Sequence, residues 1–149
     1  MTRSVGGHVS ASGGIVNVIA RAKEINADCA QFFGGSPRTW ARRLYDEKEI
    51  AEFKKVRKQI PGPNFIHALY LVNLAATNEE TIKKSMDALQ IDLLNSDNTN
   101  TQGVVIHIGS LLGQSWESIE SDLLSRIEKL LSITDKTQVI LENSASLGD

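Results

Sequence analysis

Three side chains of types that bind metal ions lie at the ends of apolar segments, at intervals of about 35 to 40 residues. They are His67 in FIHALY, His107 in GVVIHIG and Glu142 in QVILEN. Two imidazoles and one carboxylate form a common ligand set for zinc, and a position left open to water is what a catalytic zinc requires. The residue types and their spacing therefore predict a catalytic metal site.

Each of these residues also has a structural interpretation. A single histidine that ends an apolar strand is more often a hydrogen-bonded structural residue than a ligand. Glu142 follows the largely apolar run QVIL, so we expect its charge to be buried and compensated, either by a metal cation or by a salt bridge to a basic side chain. The same ligands suit manganese and iron, which leaves the identity of the metal open.

Short apolar runs alternate along the chain with longer segments of helical period. The apolar runs are VGGHVS, CAQFF, FIHALY, GVVIHIG and QVILEN. The helical segments are IVNVIARAKEI, DEKEIAEFKKVRKQI, NEETIKKSMDALQIDLL and SWESIESDLLSRIEKLLSI. Strict alternation predicts one α/β domain over residues 1–149, with a parallel sheet of about five strands and about four crossover helices. Because the carboxyl ends of parallel strands share one edge, we expect His8 to join the three candidate ligands there.

Local signals support the helical segments. Asp46 with Glu49, and Thr77 with Glu80, have the spacing of a capping box, in which two side chains satisfy free amide groups at a helix start. The polar stretch NSDNTNTQG, residues 95–103, predicts the loop that enters the fourth strand. A row of apolar residues at helical spacing predicts the inward face of the second helix: Ile50, Phe53, Val56 and Ile60.

The segment GGSPRTWARR, residues 34–43, follows the second strand on the same predicted edge. Its arginines, Arg38, Arg42 and Arg43, are suited to phosphate oxygens, and the indole of Trp40 offers a stacking face for a base. The alternative is a solvated loop with Trp40 docked on the core. Tyr70, just beyond the third strand, also has a packing interpretation.

The composition is that of an ordinary soluble globular domain. The chain has 149 residues, 41% hydrophobic and 23% charged, and a formal net charge of -2, which argues against binding nucleic acid by bulk electrostatics. The absence of a long apolar run or an apolar signal segment predicts a cytoplasmic protein with no membrane partner. Cys29 lies in CAQFF, where a small core residue is favoured over a nucleophile.

Several segments together resemble endonuclease IV, the family of zinc-dependent apurinic/apyrimidinic endonucleases also called deoxyribonuclease IV. The similar segments are GGHVSASGG, PRTW, HALYLVNLA, HIGS and ILENSAS, which extend over essentially the whole chain. HALYLVNLA is the most specific of them. The resemblance implies a (β/α) TIM-type barrel of eight strands that holds three zinc ions. It also implies hydrolysis of the phosphodiester 5′ to an abasic site in duplex DNA, in base-excision repair.

The resemblance also implies roles for individual residues. It makes His67, His107 and Glu142 zinc ligands, with Glu142 able to bridge to a second zinc and so to act as the catalytic residue. It makes Arg38 and Tyr70 DNA contacts near the abasic nucleotide, and Trp40 is added as a possible stacking contact. The resemblance also places His8 and Asn143 next to the metal ligands, as residues that would contact the ligands and not the metal itself.

Two departures qualify what the resemblance implies. A complete barrel of this type has about 250 residues, so 149 residues hold about five strands, the N-terminal part of a barrel, and ligands for one zinc at most. The segment ENSASLGD also lacks a glycine that the family usually has after this motif. We expect the open sheet edges to favour self-association and the chain to lack normal activity.

Two other functions agree with the same residues. Sugar isomerases and epimerases resembling xylose isomerase use similar barrels with histidine and carboxylate ligands, and they have no need of PRTW on the binding edge. A half-barrel could also bind a metal ion or damaged DNA without cutting it.

Overall fold

A parallel sheet forms from the apolar runs, and helices cross between its strands. The computed structural model describes residues 3–143. The strands are β1 (Gly6–His8), β2 (Cys29–Phe33), β3 (Asn64–His67), β4 (Gly103–His107) and β5 (Gln138–Glu142). The helices are α1 (Asn17–Glu24), α2 (Glu47–Val56), α3 (Glu79–Thr99) and α4 (Trp116–Leu131), with a 3-10 turn at Arg57–Gln59. The predicted α/β fold with five strands and four helices is confirmed.

The strands lie in the sheet in the order in which they occur in the chain. Each neighbouring pair is parallel, so the order is β1, β2, β3, β4, β5. Near the carboxyl edge, Phe33 pairs with His67, His67 with Val105, and His107 with Glu142. Within the described residues, β1 and β5 each pair on one side only.

The core lies between the sheet and its helices. Alternate strand residues are fully buried, including Phe32, Ile66 and Val104, and the ring of Phe32 lies 5.9 Å from that of Phe53 on α2. Burial of each such side chain stabilises the fold by about 1.5–3 kcal/mol. The predicted inward face of α2 is confirmed, because Phe53 and Ile60 are buried while the other two residues of the row pack against the core.

One of the two predicted capping boxes forms. The amide of Glu49 donates to Asp46 Oδ1 at 2.8 Å, and the amide of Asp46 donates to Glu49 Oε2 at 3.1 Å. The prediction for Thr77 and Glu80 is wrong. Helix α3 begins one residue later, and the side chain of Asn78 accepts from the amide of Thr81 at 2.9 Å.

The prediction that residues 95–103 form a loop is also wrong. Helix α3 continues to Thr99, and Asn100 ends it in the left-handed conformation, with φ 55°. Four of the polar residues in this stretch are buried and have internal hydrogen-bond partners: Asn95, Ser96, Thr99 and Thr101. The hydroxyl of Thr99, for example, donates to the carbonyl oxygen of Asn95 at 2.7 Å.

No helix within residues 3–143 is long and apolar enough to cross a membrane. The segment after Asn143, where the sequence departs from the usual endonuclease IV motif, lies outside the described residues.

The capping geometry predicts different effects for two adjacent substitutions. Asn78→Ala removes the side-chain acceptor at the start of α3, so the free energy of unfolding should fall by about 1 kcal/mol. Thr77→Ala removes an exposed side chain outside the cap and should change it by less than about 0.5 kcal/mol. Urea denaturation followed by circular dichroism measures both. A loss for Thr77→Ala equal to that for Asn78→Ala would contradict the assignment of Asn78 as the cap.

Candidate metal centre and its surroundings

His67, His107 and Glu142 come together at the carboxyl edge of the sheet. One nitrogen from each imidazole and one carboxylate oxygen all lie within 4.8 Å of one another. The two imidazole rings have centroids 5.1 Å apart. Three neighbouring strands, β3, β4 and β5, each supply one of these side chains at their last residue. The structure therefore assembles the three residues that the sequence singles out, within reach of a single ion.

The orientation of His67 is fixed by its neighbours. Its Nδ1 lies 2.7 Å from the carbonyl oxygen of Ala68, and because a carbonyl can only accept, Nδ1 carries a hydrogen. Its other nitrogen, Nε2, lies 3.1 Å from Glu142 Oε2. In a neutral imidazole with this tautomer, Nε2 is an acceptor, so two acceptors would face each other. The contact is favourable only with a proton or a cation between them.

This arrangement fits a metal ion. Histidine ligands usually donate their second ring nitrogen to a carboxylate or a backbone carbonyl, which orients the lone pair toward the metal. His67 has that arrangement with Ala68. Two imidazole nitrogens and one carboxylate oxygen then form a donor set typical of zinc, and of manganese or iron as well.

Glu142 is more exposed than the sequence predicts. Its side chain is 45% exposed, whereas that of His67 is 6% exposed, so the expectation of a buried carboxylate is wrong. The physical reason is its position at the end of β5, beside the equally exposed Leu141. The ion-pair partner of Glu142 within the described residues is the His67 imidazole rather than a lysine or an arginine. The candidate site therefore opens to solvent on the side of Glu142.

His8 lies next to the three-residue cluster and outside it. Its ring centroid is 5.9 Å from that of His67 and 4.4 Å from that of Phe33. The side-chain amide of Gln31 donates to His8 Nδ1 at 3.1 Å. Partial burial lowers the pKa of His8 and the neighbouring His67 lowers it further, while Glu142 raises it. The supporting role of His8 beside the ligands stays a prediction.

Asn143 follows β5 directly and is exposed. It lies next to Glu142 in the chain, as a residue that supports a ligand at this edge would, and its role also stays a prediction.

Tyr70 and Arg38 lie on loops that meet beside the cluster. The Tyr70 side chain is 60% exposed, and its ring lies 5.1 Å from that of Phe33 and 6.2 Å from that of His67. The amide of Tyr70 donates to the carbonyl oxygen of Pro37 at 3.0 Å, which joins the loop after β3 to the loop after β2. Arg38, next to Pro37, is exposed. Both side chains are therefore accessible to a ligand at this edge.

The other residues of GGSPRTWARR have internal partners. Trp40 packs against the core, as in the alternative interpretation of that segment. Arg43 forms two contacts of 2.6 Å with the carboxylate of Glu49. Arg42 is buried and paired with Asp92 on α3, a residue that the sequence analysis did not single out. No local signal relates Arg42 to a residue on a distant helix, so this pair is visible only in the fold.

A cavity of about 820 Å³ opens at the same edge, between the loops that follow β1 and β2. Its lining includes His8, Ser10, Ser12, Phe33 and Arg42. Because His8 and Phe33 also contact the His67 ring, the cavity borders the candidate metal centre.

Comparison with known proteins relates nearly the whole chain to one group of barrels. Residues 19–147 match the family model described as xylose isomerase-like TIM barrel. The probable endonuclease 4 of Carboxydothermus hydrogenoformans is 31% identical over 147 residues, which cover 98% of this chain and 52% of that protein. The probable endonuclease 4 of Aquifex aeolicus is 36% identical over 142 residues, which cover 94% and 50%. The chain thus spans about half the length of the curated relatives it matches.

Solved structures agree with the sequence comparison. Endonuclease IV from Thermus thermophilus superposes with a TM-score of 0.82 and 30% identity, over 98% of this chain and 54% of that one. A D-tagatose 3-epimerase-like protein superposes with a TM-score of 0.69 and 17% identity, which shows a shared fold alone. The resemblance to endonuclease IV is confirmed, and the chain belongs to the xylose isomerase-like TIM barrel family.

Proposed function

We propose that this chain carries part of the active site of a zinc-dependent endonuclease that hydrolyses the phosphodiester 5′ to abasic sites in duplex DNA. The observation that carries the proposal is the contact between His67 Nε2 and Glu142 Oε2, with His107 close enough to bind the same ion. Support also comes from relatives named endonuclease 4, which match over almost the full length of this chain.

His67, His107 and Glu142 would hold the metal. A zinc ion held by them would lower the pKa of a water molecule and would stabilise negative charge on a phosphoryl oxygen. The backbone carbonyl of Ala68 keeps the Nε2 lone pair of His67 directed toward the centre. The exposed side of Glu142 leaves room for a second metal and for substrate, which supports the catalytic, bridging role proposed for it. Binding of three zinc ions would need ligands beyond these three residues.

Arg38 and Tyr70 are the proposed DNA contacts. The planar guanidinium of arginine donates paired hydrogen bonds to phosphate oxygens, and a tyrosine ring offers a face to a base or a sugar. Both residues are exposed beside the cluster. An abasic nucleotide can be rotated out of the duplex at low cost because its base is already missing. Trp40 packs against the core, which leaves less of its indole ring for stacking on a base, so we rank it below Arg38 and Tyr70 as a DNA contact.

Two alternatives remain in the proposal. The fold is shared with a D-tagatose 3-epimerase-like protein, so a sugar isomerase or epimerase is the second candidate. A non-catalytic half-barrel that binds metal or DNA is the third, because the chain spans about half of its relatives and groups ligands for one ion among the described residues. Self-association through open sheet edges, impaired activity of the 149-residue chain and a cytoplasmic location stay predictions.

The ligand assignment predicts a loss of zinc affinity on substitution. His67→Ala and His107→Ala should each weaken zinc binding by more than about tenfold, because each removes a direct ligand. Competition with a chromophoric chelator measures the affinity. Asp87→Asn on α3 is the control, since its side chain is 58% exposed and pairs with Lys83 away from the cluster. Unchanged affinity in both histidine variants would contradict the proposed metal centre.

The proposed DNA contact predicts selective loss of binding. Arg38→Ala should weaken binding to a duplex with an abasic analogue by about tenfold, because a charged hydrogen bond to phosphate contributes about 1.5–3 kcal/mol. Fluorescence anisotropy measures the affinity, and Lys48→Ala, an exposed cation on α2, is the control.

The same assay separates the three functions. Binding of abasic duplex with cleavage that a chelator abolishes supports the endonuclease, whereas binding without chelator-sensitive cleavage supports the non-catalytic half-barrel. An affinity for DNA that does not depend on Arg38 favours the isomerase or epimerase.

A further inference from the structure

The inward side of α3 carries a row of buried polar residues where a helix face toward the core is usually apolar. Asp92, Asn95, Ser96 and Thr99 are all fully buried. Asp92 and Asn95 point at the β2–α2 loop, which we define as residues 34–46. Burial of a polar group costs free energy unless the group is hydrogen-bonded, so the partners of these residues show which part of the chain the helix binds.

Asp92 holds the β2–α2 loop through Arg42. Arg42 Nε lies 3.2 Å from Asp92 Oδ1 and donates to Oδ2 at 3.3 Å, and the two side chains are 1% and 0% exposed. Arg42 Nη1 donates to the carbonyl oxygens of Ser36, at 3.0 Å, and Ala41, at 3.2 Å. One guanidinium therefore ties the helix to two points of the loop. Those points flank residues 37–40, which include Arg38.

Asn95 holds the far end of the same loop. Its Oδ1 accepts from the amide of Tyr45 at 2.9 Å, and its Nδ2 donates to the carbonyl oxygen of Arg43 at 2.9 Å. The Tyr45 hydroxyl donates to the carbonyl oxygen of Gly34 at 2.9 Å, and burial raises its pKa, which keeps it a donor. A side chain at Gly34 would place its Cβ 2.5 Å from Asp92 Oδ1, so the loop begins in direct contact with the helix.

The loop in turn contacts Tyr70, which lies beside the candidate metal centre. Pro37, next to Arg38, accepts a hydrogen bond from the amide of Tyr70, whose ring lies 6.2 Å from that of His67. We propose that Asp92 is a positioning residue that, through Arg42, fixes the β2–α2 loop in the conformation that presents Arg38 and supports Tyr70 beside the metal centre. The inference rests on the proposed function only for the role of Arg38 toward DNA.

A purely stabilising role explains this pair less well. Buried ion pairs can often be replaced by apolar side chains without loss of stability, because removing both charges from water offsets their attraction. Burial raises the pKa of Asp92 to about 6 despite the neighbouring Arg42, so its charge is costly here. An apolar pair would fill the space but would not form the two hydrogen bonds that tie Ser36 and Ala41 to Arg42. The guanidinium forms these bonds and the contact with Asp92 together, so it connects the loop to the helix as well as packing against it.

Amide hydrogen exchange tests the positioning role in the full chain. Asp92→Asn leaves Arg42 without a counter-charge, so we expect exchange at the Tyr70 amide, which donates to Pro37, to accelerate by at least about tenfold. Amides of β3, β4 and the central turns of α3 should keep their native protection. Asp87→Asn, the same substitution on an exposed part of α3, is the control and should leave all of these rates unchanged.

Arg42→Lys keeps the positive charge and guards against failure of Asp92→Asn to fold. A lysine ammonium cannot reach Asp92, Ser36 and Ala41 together as the guanidinium fork does, so the Tyr70 amide should again exchange faster. Native protection at Tyr70 in folded Arg42→Lys would overturn the proposal. Uniform acceleration of all amides in both variants would also overturn it, since that is the result of a merely structural pair.

A double-mutant cycle tests the link to DNA. In the native background, Arg38→Ala should weaken binding of abasic duplex by about tenfold. In the Arg42→Lys background, the factor by which Arg38→Ala weakens binding should be less than about half as large. An undiminished effect of Arg38→Ala would overturn the claim that the loop presents Arg38. If no form binds DNA, the proposed function fails, while the exchange data still decide whether Asp92 positions the loop.

Discussion

The parallel register of β3, β4 and β5 is the constraint on which the candidate metal centre depends. His107 and Glu142 are paired across β4 and β5, and His67 pairs with Val105, two residues before His107. A slip of one residue would move every side chain of a strand to the other face. Close packing helps to fix the register, because a side chain at Gly103 would place its Cβ 2.6 Å from the carbonyl oxygen of Gln138.

The sequence contains the signals for those features that repeat along the chain. Alternation of strand and helix, and polar residues at successive strand ends, identify the fold and the three candidate ligands because each depends on local periodicity. The end of α3 and the Arg42–Asp92 pair do not follow from such signals. Asp92 and Asn95 look like ordinary polar helix positions, and their burial arises only when a loop some fifty residues away packs on them. The exposure of Glu142 likewise depends on what surrounds β5 rather than on the residues before it.

The two polar arrangements in the structure differ in their surroundings. At the candidate metal centre, an exposed carboxylate and an oriented imidazole face each other with no hydrogen between them in the neutral tautomer, which suits a cation that enters from solvent. Under the β2–α2 loop, Arg42 and Asp92 are enclosed by protein and paired with one another. The His67–Glu142 contact is therefore accessible to solvent, whereas the Arg42–Asp92 pair is a buried structural contact.

The loops that follow β3 and β4 are connected to each other by hydrogen bonds. Asn73 Nδ2 donates to the carbonyl oxygen of Ser110 at 3.1 Å, and the amide of Leu74 donates to the carbonyl oxygen of Ile108 at 3.1 Å. Gly109, with φ 114°, lies so close to Asn73 that a Cβ would sit 2.0 Å from its Oδ1. The backbone entropy of bringing the strand ends of His67 and His107 together is therefore lost during folding and not when an ion binds. Glu142 is paired with His107 in the sheet, so the backbone of all three candidate ligands is already ordered in the folded chain.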